Sequence, residues 1–234
     1  MFFKKLFSQA GQDLWVIRDV FDFRTGGYFL DIGAADGIHF SNTYALEKYY
    51  SWKGLCVEPN PATFERLKKN RRCLCVQACI DSSPGEVWLD TGAGLHGGIL
   101  PTQSHSGCKV PAMTLTELFR AKNVPPTIDY LSLDIEGAEG RVMETFPFAT
   151  HRFLAATIER PDNALRRLLA KHGYILVADI PGLDAFYLHT DLCISYNIRS
   201  KIQGRRRALP WPQRLSEDIA WLMRHGIRSA LRRI

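Results

Sequence analysis

The chain has 234 residues, with 30 Lys+Arg against 24 Asp+Glu and a formal net charge of +6. Apolar residues make up 46% and charged residues 23%, which excludes global disorder, collagen-like repeats and a transmembrane bundle. The basicity is local: residues 198–234 carry ten basic and two acidic side chains, so residues 1–197 are left with 20 basic and 22 acidic.

The opening MFFKKLFSQ has two lysines but no apolar run behind them, so it does not read as a secretory signal. No stretch approaches the roughly 20 apolar residues of a spanning helix. The expectation is a cytoplasmic protein, soluble or peripheral to the inner face of a membrane. Strand signals then fall at Tyr28–Ile32, Gly54–Val57, Leu74–Ile80, Tyr130–Asp134, Phe153–Ile158, Tyr174–Ala178 and Ala185–His189. Helical patterns lie between them at Thr43–Tyr50, Pro61–Asn70, Leu115–Lys122, Ala138–Phe146 and Asn163–His172. Near-continuous apolar strands alternating with crossover helices predict an α/β fold whose mostly parallel sheet is covered on both faces. Glu86–Leu89 follows the turn signal Pro84–Gly85 and reads as a short added strand. Residues 91–106 are rich in Gly, Ser, Thr and His and read as a long loop, a candidate substrate lid.

This pattern defines a first domain over residues 1–197. Beyond it, residues 199–212 form a basic linker containing RRR and PWP, and Leu215–Ile234 resumes helical periodicity. That helix has an apolar stripe flanked by arginines, with Trp211 and Trp221 nearby. It fits packing on the domain, dimerisation, or an anionic membrane surface. Nucleic-acid binding is disfavoured, because the body carries no basic face. The six cysteines (Cys56, Cys73, Cys75, Cys79, Cys108, Cys193) include no CxxC pair and no zinc-finger histidines. Four of them lie in apolar, strand-like runs and read as small hydrophobes, which favours a reducing compartment.

The first strand runs into a glycine loop, Asp31-Ile-Gly33-Ala34-Ala35-Asp36-Gly37. Such a loop lets a ligand approach bare backbone at the carboxyl edge of a sheet. A dinucleotide fingerprint needs GxGxxG; here Ala35 fills the middle slot and Ile38 the last, so a pyrophosphate cradle is poorly matched. The second strand ends in Glu58, placed for ribose hydroxyls, and the third in Asp81, placed for an adenine amino group. Three acids at successive strand tips suit a nucleoside with little negative charge of its own. S-adenosylmethionine, a sulfonium cation without phosphate, fits better than NAD.

Several ordered motifs carry a family resemblance over about residues 7–192. They are Ser8-Gln9-Ala-Gly11-Gln12-Asp13, GYFLDIGAADG, Ser41-Asn42-Thr43, Trp52-Lys-Gly54 into Val57-Glu58-Pro59-Asn60-Pro61, Asp134-Ile-Glu136-Gly137-Ala-Glu139, and Asp184-Ala-Phe. Together these resemble the FkbM-type S-adenosylmethionine-dependent O-methyltransferases. The resemblance implies a Rossmann-like class I methyltransferase fold, with a seven-stranded, mostly parallel sheet whose last strand is antiparallel. By position it assigns cofactor binding to Asp31, Gly33, Ala34, Ala35, Gly37, Asn42, Glu58, Pro59, Asp81 and Asp134. It also implies a hydroxyl acceptor, foremost a sugar of a glycan, glycolipid or glycosylated metabolite.

Transfer to oxygen requires a hydroxyl held near the methyl carbon and a group that takes its proton. Asp134 at the fourth strand tip is the first candidate, with Glu136 on the following turn and Glu159 at the fifth tip. Asp134 with Glu159 is alternatively a pair for a magnesium ion, although no metal site is assigned. His39, His96, His105 and His189 are the other candidate bases. Gln9, Gln12 and Asp13 precede the sheet and are candidates for a binding role. Rival readings are an inactive nucleoside-binding scaffold of the same fold, or an NAD-dependent oxidoreductase.

Overall fold

A computed structural model describes residues 7–92, 99–100 and 107–192. In chain order it contains α1 (Gln12–Leu14), which widens into a π-helical stretch over Trp15–Val20, then β1 (Tyr28–Ile32), α2 (Tyr44–Tyr50), β2 (Lys53–Val57), α3 (Pro61–Asn70) and β3 (Leu74–Val76). Four short strands follow: β4 (Cys79–Ile80), β5 (Gly85–Asp90), β6 (Ile99–Leu100) and β7 (Gly107–Met113). The chain continues through α4 (Leu115–Lys122), β8 (Thr127–Leu133), α5 (Glu139–Glu144), β9 (Arg152–Glu159), α6 (Asn163–Lys171), β10 (Tyr174–Asp179) and β11 (Asp184–His189).

Local signals account for several of these bounds. Pro61 opens α3, and the Asn60 side chain accepts from the amide of Ala62 at 3.0 Å. Thr114 and Glu117 form a reciprocal capping box on α4. The main sheet has seven strands in the order β10-β11-β9-β8-β1-β2-β3. Its central pairs are parallel, and β11 runs antiparallel to both β9 and β10.

Alternation along the strands divides the core between two faces. Leu30, Ile32, Leu55, Val57, Leu131 and Leu133 pack against α4, α5 and α6 through Leu118, Val142, Met143, Leu165 and Leu169. Phe29, Cys56, Tyr130 and Phe186 face the other way, onto Trp15, Ile17, Leu46, Phe64 and Leu67. Both faces of the sheet are therefore covered by helices. The carboxyl edge stays free of core packing, and the loops after β1, β2 and β8 gather there.

A second sheet corrects the expected course of residues 74–113. The single strand Leu74–Ile80 is two: β3 edges the main sheet, whereas β4 joins a four-stranded sheet of order β4-β7-β5-β6. Part of the segment read as an unstructured loop is β6, whose Ile99 pairs with Leu89. The sequence gives no strand signal at β7, because Pro111 interrupts the run. Its ladder with β4 involves only Ala112 and Met113, so Pro111 lies outside it. A small core of Cys79, Leu89, Val110 and Ala112 holds this sheet together. The basic linker and the C-terminal helix expected over residues 199–234 lie outside the described residues.

Candidate active site

The glycine loop is pinned before any ligand is considered. The amides of Gly33 and Ala34 both donate to the carbonyl of Val57, at 2.9 and 3.0 Å, so the end of β1 is tied to the end of β2. Gly33 has φ +87°, and a Cβ there would lie 1.7 Å from the carbonyl oxygen of Asp134. Only glycine lets the loop run this close to the tip of β8. Ala35, with φ +48°, donates its amide to Glu58 Oε2 at 2.9 Å. Glu58 Oε1 accepts from the Asn60 amide at 2.9 Å and from the Thr63 hydroxyl at 3.3 Å. Burial raises the Glu58 carboxyl above its ordinary range, and these donors oppose the shift.

These loops enclose a cavity of about 210 Å³ at the carboxyl ends of β1, β2 and β8. Its wall includes Asp31, Gly33, Ala34, Ala35, Asn42, Glu58, Pro59 and Asp134, eight of the expected cofactor positions, together with Glu136. The wall also includes Gln9, His39 and Phe40, and Cys79, Leu89 and Ile99 of the small sheet. Two expected positions stand apart from it. Gly37 backs onto Leu67 and Arg71. Asp81 turns to Arg141, with Oδ1 2.6 Å from its Nε, because β4 belongs to the second sheet and redirects the strand tip. Ala78, Cys79 and Ile80 line the cavity in its place.

Asp31 is held from behind by Arg71, a residue the sequence reading did not single out. The Arg71 side chain has no exposed surface. It pairs with Glu47, donates to the Thr43 hydroxyl at 3.0 Å, and lies 3.9 Å from Asp31 Oδ2. The Thr43 hydroxyl donates in turn to Asp31 Oδ2 at 2.5 Å. Burial raises the Asp31 carboxyl, while the Arg71 charge and the Thr43 bond pull it back. A signal for Arg71 was present: Phe64, Leu67 and Arg71 continue the buried face of α3 at helical spacing.

Asn42 donates from Nδ2 to the Ser132 hydroxyl at 3.0 Å, which leaves its Oδ1 buried and unpartnered in the cavity wall. A buried acceptor in that position fits a ligand that brings a donor. With the glycine approach and the Glu58 carboxylate, the residues present fit a nucleoside bearing a cationic sulfonium and an amino acid.

Asp134 opens onto the cavity while packing against Glu159. The residue is exposed in the cavity wall, yet desolvation by the surrounding protein first, and then the hydrogen bond to Glu159 and the charges of Glu159, Asp184 and Glu136, raise its carboxyl to about 9. Oxygens of Asp134, Glu136 and Glu159 lie within 4.8 Å of one another. Arg160 already bridges this group, 2.8 Å from Glu136 Oε2 and 2.5 Å from Glu159 Oε1. A guanidinium and a retained proton thus offset two of the cluster's three negative charges. Glu159 sits behind Asp134 and not in the cavity wall.

At the opposite lip, His39 Nδ1 is 2.9 Å from Asp36 Oδ2, and the His39 side chain is 76% exposed. Burial works to raise the Asp36 carboxyl, but bonds from the amides of Ile38 and His39 and from the His39 ring hold it below its ordinary range. His189 packs edge-on against Tyr174 and is not part of the wall. His96 and His105 lie outside the described residues. Of the N-terminal polar residues Gln9 reaches the cavity, whereas Asp13 accepts from the Phe7 amide and the Ser8 hydroxyl. Glu139 accepts from the amides of Ile135 and Gly137 and shapes the turn after β8.

The family model described as "Methyltransferase FkbM domain" matches residues 31–176. Among solved structures, the methyltransferase FkbM from Methylobacillus flagellatus KT is similar at 12% identity and a TM-score of 0.49, covering 78% of this chain and 48% of that one. The chain therefore spans about half the length of that protein. A TehB-like SAM-dependent methyltransferase from Corynebacterium glutamicum is similar at 11% identity and a TM-score of 0.42, covering 78% of this chain and 89% of that one. TYW2 from M. jannaschii, in complex with AdoMet, gives 15% identity and a TM-score of 0.38, with coverage of 80% and 79%. No curated protein matches the chain.

Proposed function

The chain belongs to the FkbM methyltransferase family, and from that premise we propose that it transfers a methyl group from S-adenosylmethionine to a hydroxyl oxygen. The acceptor class we propose is a sugar hydroxyl in a glycan, glycolipid or glycosylated metabolite. One observation carries the reading: a single cavity brings the Gly33 approach, the Glu58 carboxylate, the unpartnered Asn42 Oδ1 and Asp134 together.

S-adenosylmethionine supplies an electrophilic methyl carbon on a sulfonium. The chain's own residues have three tasks. Backbone at Gly33 and Ala34 gives close packing to the cofactor, while Glu58 has lone pairs left for ribose hydroxyls. Asp134 keeps its proton at neutral pH and orients the acceptor oxygen by hydrogen bonding, with Glu159 and Glu136 maintaining that protonation. His39 receives the acceptor's proton at Nε2, and Asp36 holds the ring from Nδ1 and balances the imidazolium that forms. An acidic wall also favours a cofactor with positive charge over the pyrophosphate of NAD.

No helix among the described residues is long and apolar enough to cross a membrane. We place the protein in the cytoplasm, a reading supported by the five free thiols among those residues. The net +8 of residues 198–234 supports contact with an anionic membrane or with a second subunit, read from charge and periodicity.

Titration calorimetry with S-adenosylmethionine and with NAD tests the cofactor. Binding of the first and not the second is expected, and the reverse would overturn the reading. Incubation with methyl-labelled cofactor and a glycan panel then tests transfer. Label in an alkali-stable ether supports the oxygen acceptor; cofactor binding without transfer to any acceptor would favour an inactive scaffold.

A further inference from the structure

β2 and β3 pair in parallel with Cys56 opposite Cys75. Cys73 precedes β3 and, two residues from Cys75, falls on the same face. The register therefore gathers three thiols on the α2 and α3 side of the sheet. Cys56 Sγ and Cys73 Sγ are 3.5 Å apart, and Cys75 Sγ donates to the Cys73 carbonyl at 3.6 Å. The Cys73 amide is fixed by Glu47 Oε1 at 2.6 Å. None of the cofactor or acceptor chemistry proposed above uses these groups.

We propose that Cys73 and Cys56 are a site of covalent oxidation, in which the Cys73 sulfur attacks a hydroperoxide and Cys56 then closes a disulfide. Access sets the order of events. Cys73 is half-buried at the edge of the sheet, whereas Cys56 is fully buried and touches solvent only through its neighbour. Charge sets the same order. The hydrogen bond with the Cys56 thiol, followed by the charge of Arg71, holds the Cys73 thiol below its ordinary range against the opposing effect of burial. Burial first, and then the bond to Cys73, pushes the Cys56 thiol up. A thiolate beside a fixed cation is the reactive form.

In the first step the Cys73 sulfur attacks the peroxide oxygen. An S–O bond forms, the O–O bond breaks, and the leaving alkoxide or hydroxide takes up a proton to give an alcohol or water. In the second, Cys56 sulfur displaces the new hydroxyl from Cys73 as water, carried off with the Cys56 proton. Two thiols are oxidised and one peroxide is reduced. Closing the bond requires the sulfurs to approach by about 1.5 Å, to the roughly 2.05 Å of a disulfide. Cys75 is the poorer partner: residues two apart on one strand stand about 6.7 Å apart, at the limit that a disulfide spans. The three sulfurs do not form a metal site, since among the described residues only the Asp134 group brings three ligand atoms within 4.8 Å.

The test uses the full reduced chain, freed of reductant and treated with hydrogen peroxide. Remaining thiols are alkylated in acid denaturant, and the tryptic peptides 54–66 and 73–109 are sequenced by mass spectrometry. A link between Cys56 and Cys73, loss of two thiols and reversal by dithiothreitol are expected. In Cys56→Ser, Cys73 should instead be trapped as a dimedone adduct, and Cys75→Ser should leave the link intact. A Cys73–Cys75 link, a Cys56 that remains free, or oxidation of Cys73 no faster than Cys79 and Cys108 would each overturn the proposal. The wild-type peptide map decides the matter even where a variant folds poorly.

Discussion

The side-chain amide of Gln12 donates to Asp184 Oδ2 across 2.8 Å, though 172 residues separate them and both side chains are buried. The bond ties the N-terminal helical segment to the first residue of β11, which faces Glu159 across the sheet. Two motifs at opposite ends of the domain thus meet behind the cluster of Asp134, Glu136 and Glu159. Their positions suit a structural tie, since Gln12 and Asp184 are absent from the cavity wall.

Burial raises the Asp184 carboxyl to about 6, with the Gln12 donor opposing. The native state then holds this proton more tightly than the unfolded chain, so the group's contribution is complete below about pH 4 and is lost as pH rises to about 6. Asp184→Asn removes that loss and keeps an acceptor for Gln12. Urea unfolding at pH 4.5 and 7.5 should show the variant gaining on wild type as pH rises, by roughly 2 kcal/mol at most. A difference that does not change with pH would exclude this assignment.

Gly33→Ala places a Cβ 1.7 Å from the Asp134 carbonyl oxygen, at φ +87°. The left-handed backbone alone costs about 1–2 kcal/mol, and the two strand tips are held by the bonds of Gly33 and Ala34 to the Val57 carbonyl and of the Asp134 amide to the Ile32 carbonyl. A total of about 3 kcal/mol or more corresponds to a fall in Tm of roughly 10 °C for a domain of this size. Thermal denaturation reads the stability, and calorimetry on protein held well below Tm should show S-adenosylmethionine affinity reduced at least tenfold.

If His39 takes the acceptor proton, His39→Ala should lower kcat about 10²- to 10⁴-fold. Its exposed side chain makes no core contact, so Tm and cofactor affinity should stay within error of wild type. Asp36→Asn should fall in between, because the ring loses its orienting charge but keeps its place. An unchanged kcat in His39→Ala with the true acceptor would remove the residue from the mechanism.

What the sequence made legible was local. Pro61–Asn70 and Leu115–Lys122 are bounded by side chains one turn away, and their expected limits coincide with α3 and α4. The apolar strands likewise declare themselves in Tyr28–Ile32. Elements that depend on distant partners were not legible. β7 exists because β5 and β4 pair with it, against the local preference of Pro111. Helical spacing after Phe64 and Leu67 puts Arg71 on the buried face, but its role requires Glu47, Thr43 and Asp31 to converge from other elements. Asp81 shows the converse: a strand-tip acid follows the sheet its strand joins, and β4 joins the smaller one.

Asp134 offers the sharpest separation between two chemical roles. A base must be ionised before it acts, whereas an orienting acid must still carry its proton. Desolvation and the Glu159 carboxyl beside it raise this exposed carboxyl to about 9, which favours the second role at neutral pH. Asp134→Asn keeps a donor of nearly the same shape, so kcat should fall less than tenfold, whereas Asp134→Ala should lower it about 100-fold or more. The pH profile separates the roles further. Wild-type kcat should decline as pH rises through about 9, when the carboxyl loses its proton and repels Glu159, and that alkaline limb should vanish in Asp134→Asn. If Asp134→Asn is instead as inactive as Asp134→Ala, and wild-type activity rises with pH across the same interval, Asp134 is the base and His39 is not.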